Sequence, residues 1–227
     1  MIPIKDDNPR IRPPVVTVAL IVVNVLVFLY ELSLGPRLAI FIEEHGAIPA
    51  QIISGRHLET VITSMFLHGG FMHLAGNMLY LWIFGDNVEG YLGHLRFFCF
   101  YIACGVVAAM SHIVLGGTSV VVPMVGASGA ISGVLGAYLV KYPRARVLVV
   151  IPIFLFIEIL RIPALIVLGF WFVLQLFSGV MSHVGGQGAQ MGGIAFWAHI
   201  GGFVAGIVLI NMMKKKRPNR FGDYDLF

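Results

Sequence analysis

Four polar residues lie within otherwise apolar stretches of this sequence, and their types are those that carry out acyl transfer. Ser128 stands in the segment Gly126-Ala-Ser-Gly129, and His199 stands near the start of a later apolar stretch. His73 and Asn77 are four residues apart, which places them on one face of a helix. A serine hydroxyl needs a base to take its proton, and tetrahedral acyl chemistry needs hydrogen-bond donors for the oxyanion. Ser128 is therefore the candidate nucleophile, His199 the candidate general base, and His73 and Asn77 the candidate oxyanion-hole residues.

The composition indicates the environment in which these residues must be held. The chain has 227 residues, of which 58% are hydrophobic and 11% are charged, and its mean hydropathy is +0.90. Soluble domains carry about 25% charged residues. Several apolar runs approach the ~20 residues that cross a ~30 Å hydrocarbon core. The sequence predicts an all-α, multi-pass membrane protein whose surroundings are the lipid bilayer. A nucleic-acid partner is not expected, because the basic residues lie between and beyond the apolar runs.

Six transmembrane helices are predicted from the apolar runs, at about 15–34, 69–89, 94–115, 128–142, 162–181 and 192–213. The first two are separated by a long semi-polar connection, 35–68, which we expect to rest in the membrane interface. The stretch Val147–Leu160 is also apolar, but its 14 residues favour an interfacial or re-entrant segment over a seventh span. The expected organisation is a cytoplasmic N-terminal segment (1–14), a six-helix membrane domain (15–213) and a basic cytoplasmic tail (214–227).

The distribution of basic residues supports an even number of spans. If the N-terminus is cytoplasmic, all of the 15 lysines and arginines except Arg37 and Arg56 lie on the inner side of the membrane. A seventh span would move the cluster Lys214–Arg217 to the outside, against the positive-inside rule. Both termini are therefore predicted to be cytoplasmic.

The predicted depths of the polar residues bring them into one layer. The fourth helix has about 15 residues, or ~22 Å at 1.5 Å per residue, and falls short of the core thickness. The preceding loop must dip into the membrane and carry Ser128 with it. His199 is expected about seven residues into the sixth helix, at a similar depth of ~10 Å. Both helices have glycine faces, and small residues let membrane helices approach closely.

Each polar residue also has an ordinary structural interpretation. Ser128 could be a helix N-cap, and His199, His73 and Asn77 could form hydrogen bonds between helices. The coincidence of all four in one layer favours a site. The carboxylates of Glu31, Asp86, Glu89 and Glu158 all map near helix ends, so the chemistry predicted is that of a Ser–His dyad. A zinc site is disfavoured, because H-E-x-x-H or similar ligand spacing does not occur. Neither a metal nor another cofactor is expected.

The sequence resembles the rhomboid family of intramembrane serine proteases. The resemblance covers about residues 15–213 and rests on three motifs in order: H-G-G-F-M-H-L-A-G-N (68–77), G-A-S-G (126–129) and A-H-I-G-G-F-V-A-G (198–206). It implies a six-helix rhomboid-like bundle that cleaves transmembrane proteins in or near their spans. Ser128 is then the nucleophile, His199 the base, and His73 and Asn77 line the oxyanion hole. The fifth helix and the loop 183–193 resemble the family's gate and cap.

Two positions depart from the family pattern. Glu59 and Thr60 stand where many members have Trp-Arg, and Ser132 stands where some members stack an aromatic residue on the histidine. The alternative function is that of a non-catalytic rhomboid-like protein that binds and escorts membrane proteins, and a channel or transporter is third. The short six-span form favours a plasma (inner) membrane location.

Overall fold

The computed structural model describes residues 1–116, 121–153, 156–184 and 195–213. In chain order, its elements are β1 (Ile2–Asp6), α1 (Val15–Ser33), a 3₁₀ turn (Gly35–Arg37), α2 (Leu38–His45), α3 (Pro49–Ile53), α4 (Thr60–Thr63), a second 3₁₀ turn (Ser64–Phe66), α5 (Phe71–Leu92), α6 (His94–Gly116), α7 (Ser128–Lys141), β2 (Arg146–Ile153), β3 (Phe156–Pro163), α8 (Ala164–Val184) and α9 (Phe196–Met212). The helices α1, α5, α6, α7, α8 and α9 correspond to the six predicted helices. The tail 214–227 and most of the loop 183–193 lie outside the described residues.

The helical membrane fold predicted from the sequence is confirmed. Three of the described helices are long and apolar enough to cross a membrane, namely Val15–Ser33, His94–Gly116 and Ala164–Met181. Helix α9 is apolar but has 17 residues, and α7 has 14 residues, as its predicted shortness requires. Helix α5 carries charged residues near its end. A count of six membrane helices is consistent with this arrangement.

The stretch Val147–Leu160 forms β-strands, which the sequence analysis did not predict. Strands β2 and β3 form an antiparallel hairpin, and β1 pairs with β2 from Ile2↔Val150 to Asp6↔Val147. The length of the stretch excluded a span but could not distinguish a helix from strands. Its Val- and Ile-rich composition was the available signal, because β-branched residues favour strands. The pairing with β1 places the N-terminal segment on the same side of the bundle as the α7–α8 connection.

Helix α7 forms the centre of the bundle, and its residues Ala130–Tyr138 are all buried. Its glycine face packs directly against α9. A Cβ atom on Gly202 would overlap the carbonyl oxygen of Gly129, and one on Gly206 would overlap that of Gly133. The predicted close approach of these two helices is therefore present, and it allows side chains in their first turns to meet.

Hydrogen bonds between polar groups attach the N-terminal segment to the adjacent ends of the helices. The carboxylate of Glu89 accepts hydrogen bonds from the N–H groups of Val16 and Thr17, each at 2.8 Å, at the start of α1. The Tyr138 hydroxyl donates to Asp6 at 2.5 Å, and Asn87 Nδ2 donates to the same carboxylate at 3.0 Å. These contacts fix α1, α5 and α7 relative to one another below the layer that holds the candidate site.

Candidate active site

Ser128 and His199 meet across the α7–α9 interface. The distance between Ser128 Oγ and His199 Nε2 is 2.8 Å, which is a hydrogen bond. Ser128 is the first residue of α7 and Ala127 is its N-cap, so the structure does not use the serine as the N-cap. Helix α9 begins at Phe196 rather than near residue 192, and His199 therefore lies in its first turn. The close packing of the glycines of α7 and α9 thus brings the first turns of these two helices into contact.

The turn before Ser128 depends on a glycine. Gly126 has a φ of +125°, a conformation that L side chains rarely adopt, and its N–H donates to the carbonyl oxygen of Ser64 at 2.9 Å. This bond attaches the loop to the segment that leads into α5. The loop thus reverses at Gly126, and α7 starts two residues later with the Ser128 side chain facing α9.

His73 and Asn77 lie against the backbone of the same glycine. A Cβ atom on Gly126 would be 2.8 Å from His73 Nε2 and 3.7 Å from Asn77 Nδ2. The N–H of Gly69 donates to His73 Nδ1 at 3.4 Å. Since a neutral imidazole carries one proton, that proton is on Nε2, the nitrogen beside Gly126. Two side-chain donors are therefore placed next to the residues that precede Ser128.

The amide of Asn77 has an unused donor. Asn77 is 7% exposed, and its Nδ2 atom has no hydrogen-bond partner among the described residues. A buried amide donor without a partner costs about 1–3 kcal/mol. An oxyanion that forms during a reaction would supply the missing acceptor. All four residues predicted from the sequence are thus gathered around one position.

Helix α8 supplies two contacts to His199 that the sequence analysis missed. Gln175 Oε1 lies 2.8 Å from His199 Nδ1. The ring of Trp171 packs beside the same imidazole in a tilted arrangement, with ring centroids 5.9 Å apart and an interplanar angle of 37°. The positions of the carboxylates predicted a dyad alone, whereas the signal for a third member was a glutamine within an apolar span.

The structure explains how Ser132 is accommodated where some family members have an aromatic residue. Ser132 is buried, and its hydroxyl donates to the carbonyl oxygen of Ser128 at 2.6 Å. The aromatic ring beside the histidine is supplied by Trp171 of α8 instead of by α7. Packing around His199 is therefore provided by a different helix.

Glu31 lies closer to the site than the sequence analysis placed it. This carboxylate is 1% exposed and accepts the N–H of His68 at 3.1 Å. The ring of His68 packs edge-on against His73, with centroids 5.2 Å apart. Glu31 lies near the end of α1, and that end is next to the backbone that leads into α5. Glu31 thus fixes the backbone of His68, whose ring packs against His73, and it does not contact Ser128 or His199.

Glu59 and Thr60, which replace the Trp-Arg pair of many family members, form hydrogen bonds with nearby residues. The hydroxyl of Thr60 donates to the carbonyl oxygen of His57 at 2.6 Å, and Glu59 pairs with the His57 ring at 3.2 Å. A further bond, from the Thr63 hydroxyl to the His45 carbonyl oxygen at 2.7 Å, ties this segment to the end of α2. The connection is anchored without the Trp-Arg pair.

A cavity of about 730 Å³ opens onto these residues between α5 and α8. Its walls include Met72, Gly76 and Tyr80 from α5, and Trp171 and Gln175 from α8, and all four candidate residues line it. Since a water molecule occupies about 30 Å³ in the liquid, the volume admits an extended peptide segment together with water. The described part of the chain contains no group of three or more His, Cys, Asp or Glu side chains that could hold a metal ion.

Comparison with known proteins gives a consistent set of relatives. The Rhomboid domain model matches residues 55–216, a range that includes all the residues of the site. Rhomboid protein 1, mitochondrial, of Saccharomyces cerevisiae is 28% identical over 219 residues, covering 93% of this chain and 58% of that protein. The human presenilin-associated rhomboid-like protein, mitochondrial, is 35% identical over 98 residues, covering 42% of the chain and 26% of the relative. Rhomboid protease GluP of Bacillus subtilis is 35% identical over 127 residues, covering 56% of this chain and 24% of that protein. The chain thus spans from about a quarter to 58% of the length of these relatives.

The relatives overturn the location expected from the sequence. The yeast relative, which covers most of this chain, is named a mitochondrial protein, and so is the human one. The prediction of a plasma (inner) membrane is therefore wrong, and the expectation that both termini face a cytoplasm falls with it. Span number and charge bias orient a chain in a membrane but do not identify the membrane. The multi-pass character is unaffected.

Proposed function

Since this chain belongs to the rhomboid family, we propose that it is an intramembrane serine endopeptidase. It cleaves transmembrane substrate proteins in or near their spans by means of the Ser128–His199 dyad. The observation that supports this most directly is the 2.8 Å contact between Ser128 Oγ and His199 Nε2 inside the cavity between α5 and α8. The catalytic domain comprises residues 15–213, with 1–14 and 214–227 as its flanking segments.

The reaction follows from the position of the two side chains. His199 Nε2 takes the proton of the Ser128 hydroxyl as Oγ attacks the scissile carbonyl carbon. The imidazolium then gives this proton to the leaving amine, the C–N bond breaks, and an acyl-enzyme remains. A water molecule in the cavity attacks the ester carbonyl after losing a proton to His199. That proton returns to Ser128 Oγ as the carboxylic acid leaves, which restores the dyad.

The negative charge that develops on the carbonyl oxygen is met by three kinds of donor. His73 Nε2–H and Asn77 Nδ2–H lie beside Gly126, and the first N–H groups of α7 have no partner within their own helix. The positive end of the α7 dipole points to the same place. Such donors stabilise the tetrahedral intermediate more than the planar substrate, which is the requirement for an effect on rate.

The substrate class is inferred from the position of the cavity. A peptide reaches Ser128 between α5 and α8, from the side on which lipid surrounds the bundle. A helical substrate must expose its backbone carbonyl before attack, so the cleaved segment is expected to be a locally unwound part of a membrane span. The partners of this chain are therefore other membrane proteins.

The test compares purified wild-type protein with Ser128→Ala, His199→Ala and Ser111→Ala in detergent, with a fluorophosphonate probe and a labelled transmembrane peptide. The hydroxyl of Ser111 donates a hydrogen bond to the carbonyl oxygen of Val107 within α6. Ser111 is therefore a matched control serine in a membrane helix. We expect labelling and cleavage in wild type and Ser111→Ala, and neither in the two dyad variants. Cleavage by Ser128→Ala contradicts the proposal. Absence of labelling in all four proteins favours the non-catalytic binder instead.

A further inference from the structure

We propose that Gln175 is a positioning residue for the general base, and that it makes the alignment of His199 depend on helix α8. The inference rests on the proposed function and adds to it a third member of the site. Gln175 Oε1 lies 2.8 Å from His199 Nδ1, on the side of the ring opposite Ser128. Gln175 touches neither the nucleophile nor the carbonyl under attack.

An acceptor at Nδ1 determines what Nε2 can do. A neutral imidazole has one N–H, and the nitrogen that carries it is chosen by the hydrogen bond that the ring makes. The Gln175 oxygen accepts that N–H at Nδ1. Nε2 is then unprotonated and can accept the proton of Ser128. The alternative tautomer would turn a donor toward the hydroxyl and could not act as the base.

Among the described residues, the hydrogen-bond partners of the His199 ring are Gln175 and Ser128, and neither is a carboxylate. The nearest titratable neighbours of His199 on the packed helices are the histidines His73 from α5 and His112 from α6. A neutral amide performs the orienting function here without adding a charge inside the membrane, where a carboxylate would be costly. The described residues thus form a Ser–His–Gln arrangement.

The α8 helix holds the ring in a second way. Trp171 is one helical turn before Gln175 and packs against both His199 and Phe203 of α9, with ring centroids 5.9 and 6.0 Å apart. Both contacts come from one face of α8, and the same two residues line the cavity. A movement of α8 that widens the cavity for a substrate removes both contacts. His199 therefore has its base-competent tautomer and orientation fixed when α8 is closed on α9.

The test measures labelling of Ser128 by a fluorophosphonate probe in wild type, Gln175→Met and Gln175→Glu, with kinact and KI determined separately. Methionine keeps the length and helix propensity of glutamine but replaces the amide oxygen with a thioether sulfur, a weak acceptor, whereas glutamate retains a strong oxygen acceptor. Leu174→Met is the matched control, since it places the same side chain on the adjacent, exposed position of α8. The thermal midpoint of each protein is recorded.

We expect kinact to fall about tenfold in Gln175→Met, the rate effect of one lost neutral hydrogen bond, with KI unchanged. Gln175→Glu should recover most of the loss, and Leu174→Met should match wild type. A wild-type kinact in Gln175→Met overturns the inference, as does an equal loss in the methionine and glutamate variants. Wild-type protein that is not labelled at Ser128 overturns the proposed function itself, so the two failures are distinguishable.

Discussion

The backbone of Gly126 passes so close to the ring of His73 that a Cβ atom on the glycine would lie 2.8 Å from the ring's Nε2 and Cε1 atoms. The contact joins the loop that carries Ser128 to the helix that carries the candidate oxyanion donors. The glycine also has a φ of +125°, which a residue with a side chain rarely adopts. The position of Ser128 relative to His73 and Asn77, the candidate oxyanion donors, is therefore set at this glycine.

Replacement of this glycine should impair both folding and catalysis. In Gly126→Ala, the strained backbone costs about 1–3 kcal/mol, and the methyl group displaces His73 from the site. We expect kcat to fall by about tenfold or more and the thermal midpoint to decrease. Gly55→Ala is the control, because Gly55 has a φ of +75° and no atom within 4 Å of its Cβ position. It should lose stability and keep its kcat, and an unchanged kcat in Gly126→Ala would count against the assigned oxyanion hole.

The second prediction concerns the two side-chain donors. Asn77 Nδ2 has no partner among the described residues, so Asn77→Ala removes no hydrogen bond that Nδ2 donates within that part of the chain. We expect a loss of about 10–100-fold in kcat, with KM and the thermal midpoint little changed. His73→Ala should behave similarly, and the double variant should lose less than the product of the single losses if both donate to one oxygen. A lowered midpoint with full activity would make Asn77 a packing residue.

The third prediction concerns access through α8. A Cβ atom on Gly179 would lie 3.5 Å from Phe196 Cβ, within the range of a disulfide. Oxidation of Gly179→Cys/Phe196→Cys should tie α8 to α9. Cleavage of a transmembrane substrate is then expected to fall, while fluorophosphonate labelling of Ser128 continues at the rate of the reduced protein. The reduced form of the same variant is the control, and equal cleavage rates in both forms would show that α8 does not move away from α9 during turnover.

The fourth prediction concerns pH and the N-terminal segment. Burial raises the pKa of Asp6 from 3.8 to about 6, although the hydrogen bond from Tyr138 opposes the shift. Because the folded state binds the proton more tightly, the stabilising contribution of Asp6 is complete below about pH 3.8 and is lost as the pH rises to about 6. The thermal midpoint of wild type should therefore fall over this range relative to that of Asp6→Asn, which does not titrate. If the thermal midpoints of wild type and Asp6→Asn change in parallel with pH, the prediction is contradicted.

Much of the architecture was readable from the sequence, because the bilayer imposes it. Lengths of apolar runs set the helices, so the predicted bounds of α1, α6 and α7 agree with the structure within one residue. The shortness of α7 indicated where its start must lie, and the glycines of α7 and α9 indicated that these two helices pack closely. Residue type then identified Ser128 and His199 as the pair to consider. The domain boundaries remain predictions.

The tertiary structure decided the rotation of each helix and the contacts between distant residues, which the length of an apolar run does not specify. The rotation of α8 about its axis directs Gln175 and Trp171 to His199, and an almost uniformly apolar helix carries no periodicity from which that rotation could be inferred. The pairing of β1 with β2 joins residues more than a hundred positions apart, which no local pattern specifies. The protonated nitrogen of each histidine likewise depends on a partner from elsewhere in the chain or backbone. Composition and spacing thus determined that the chain forms apolar membrane helices and which residues were candidates for the site, whereas packing between the helices determined which of those residues touch.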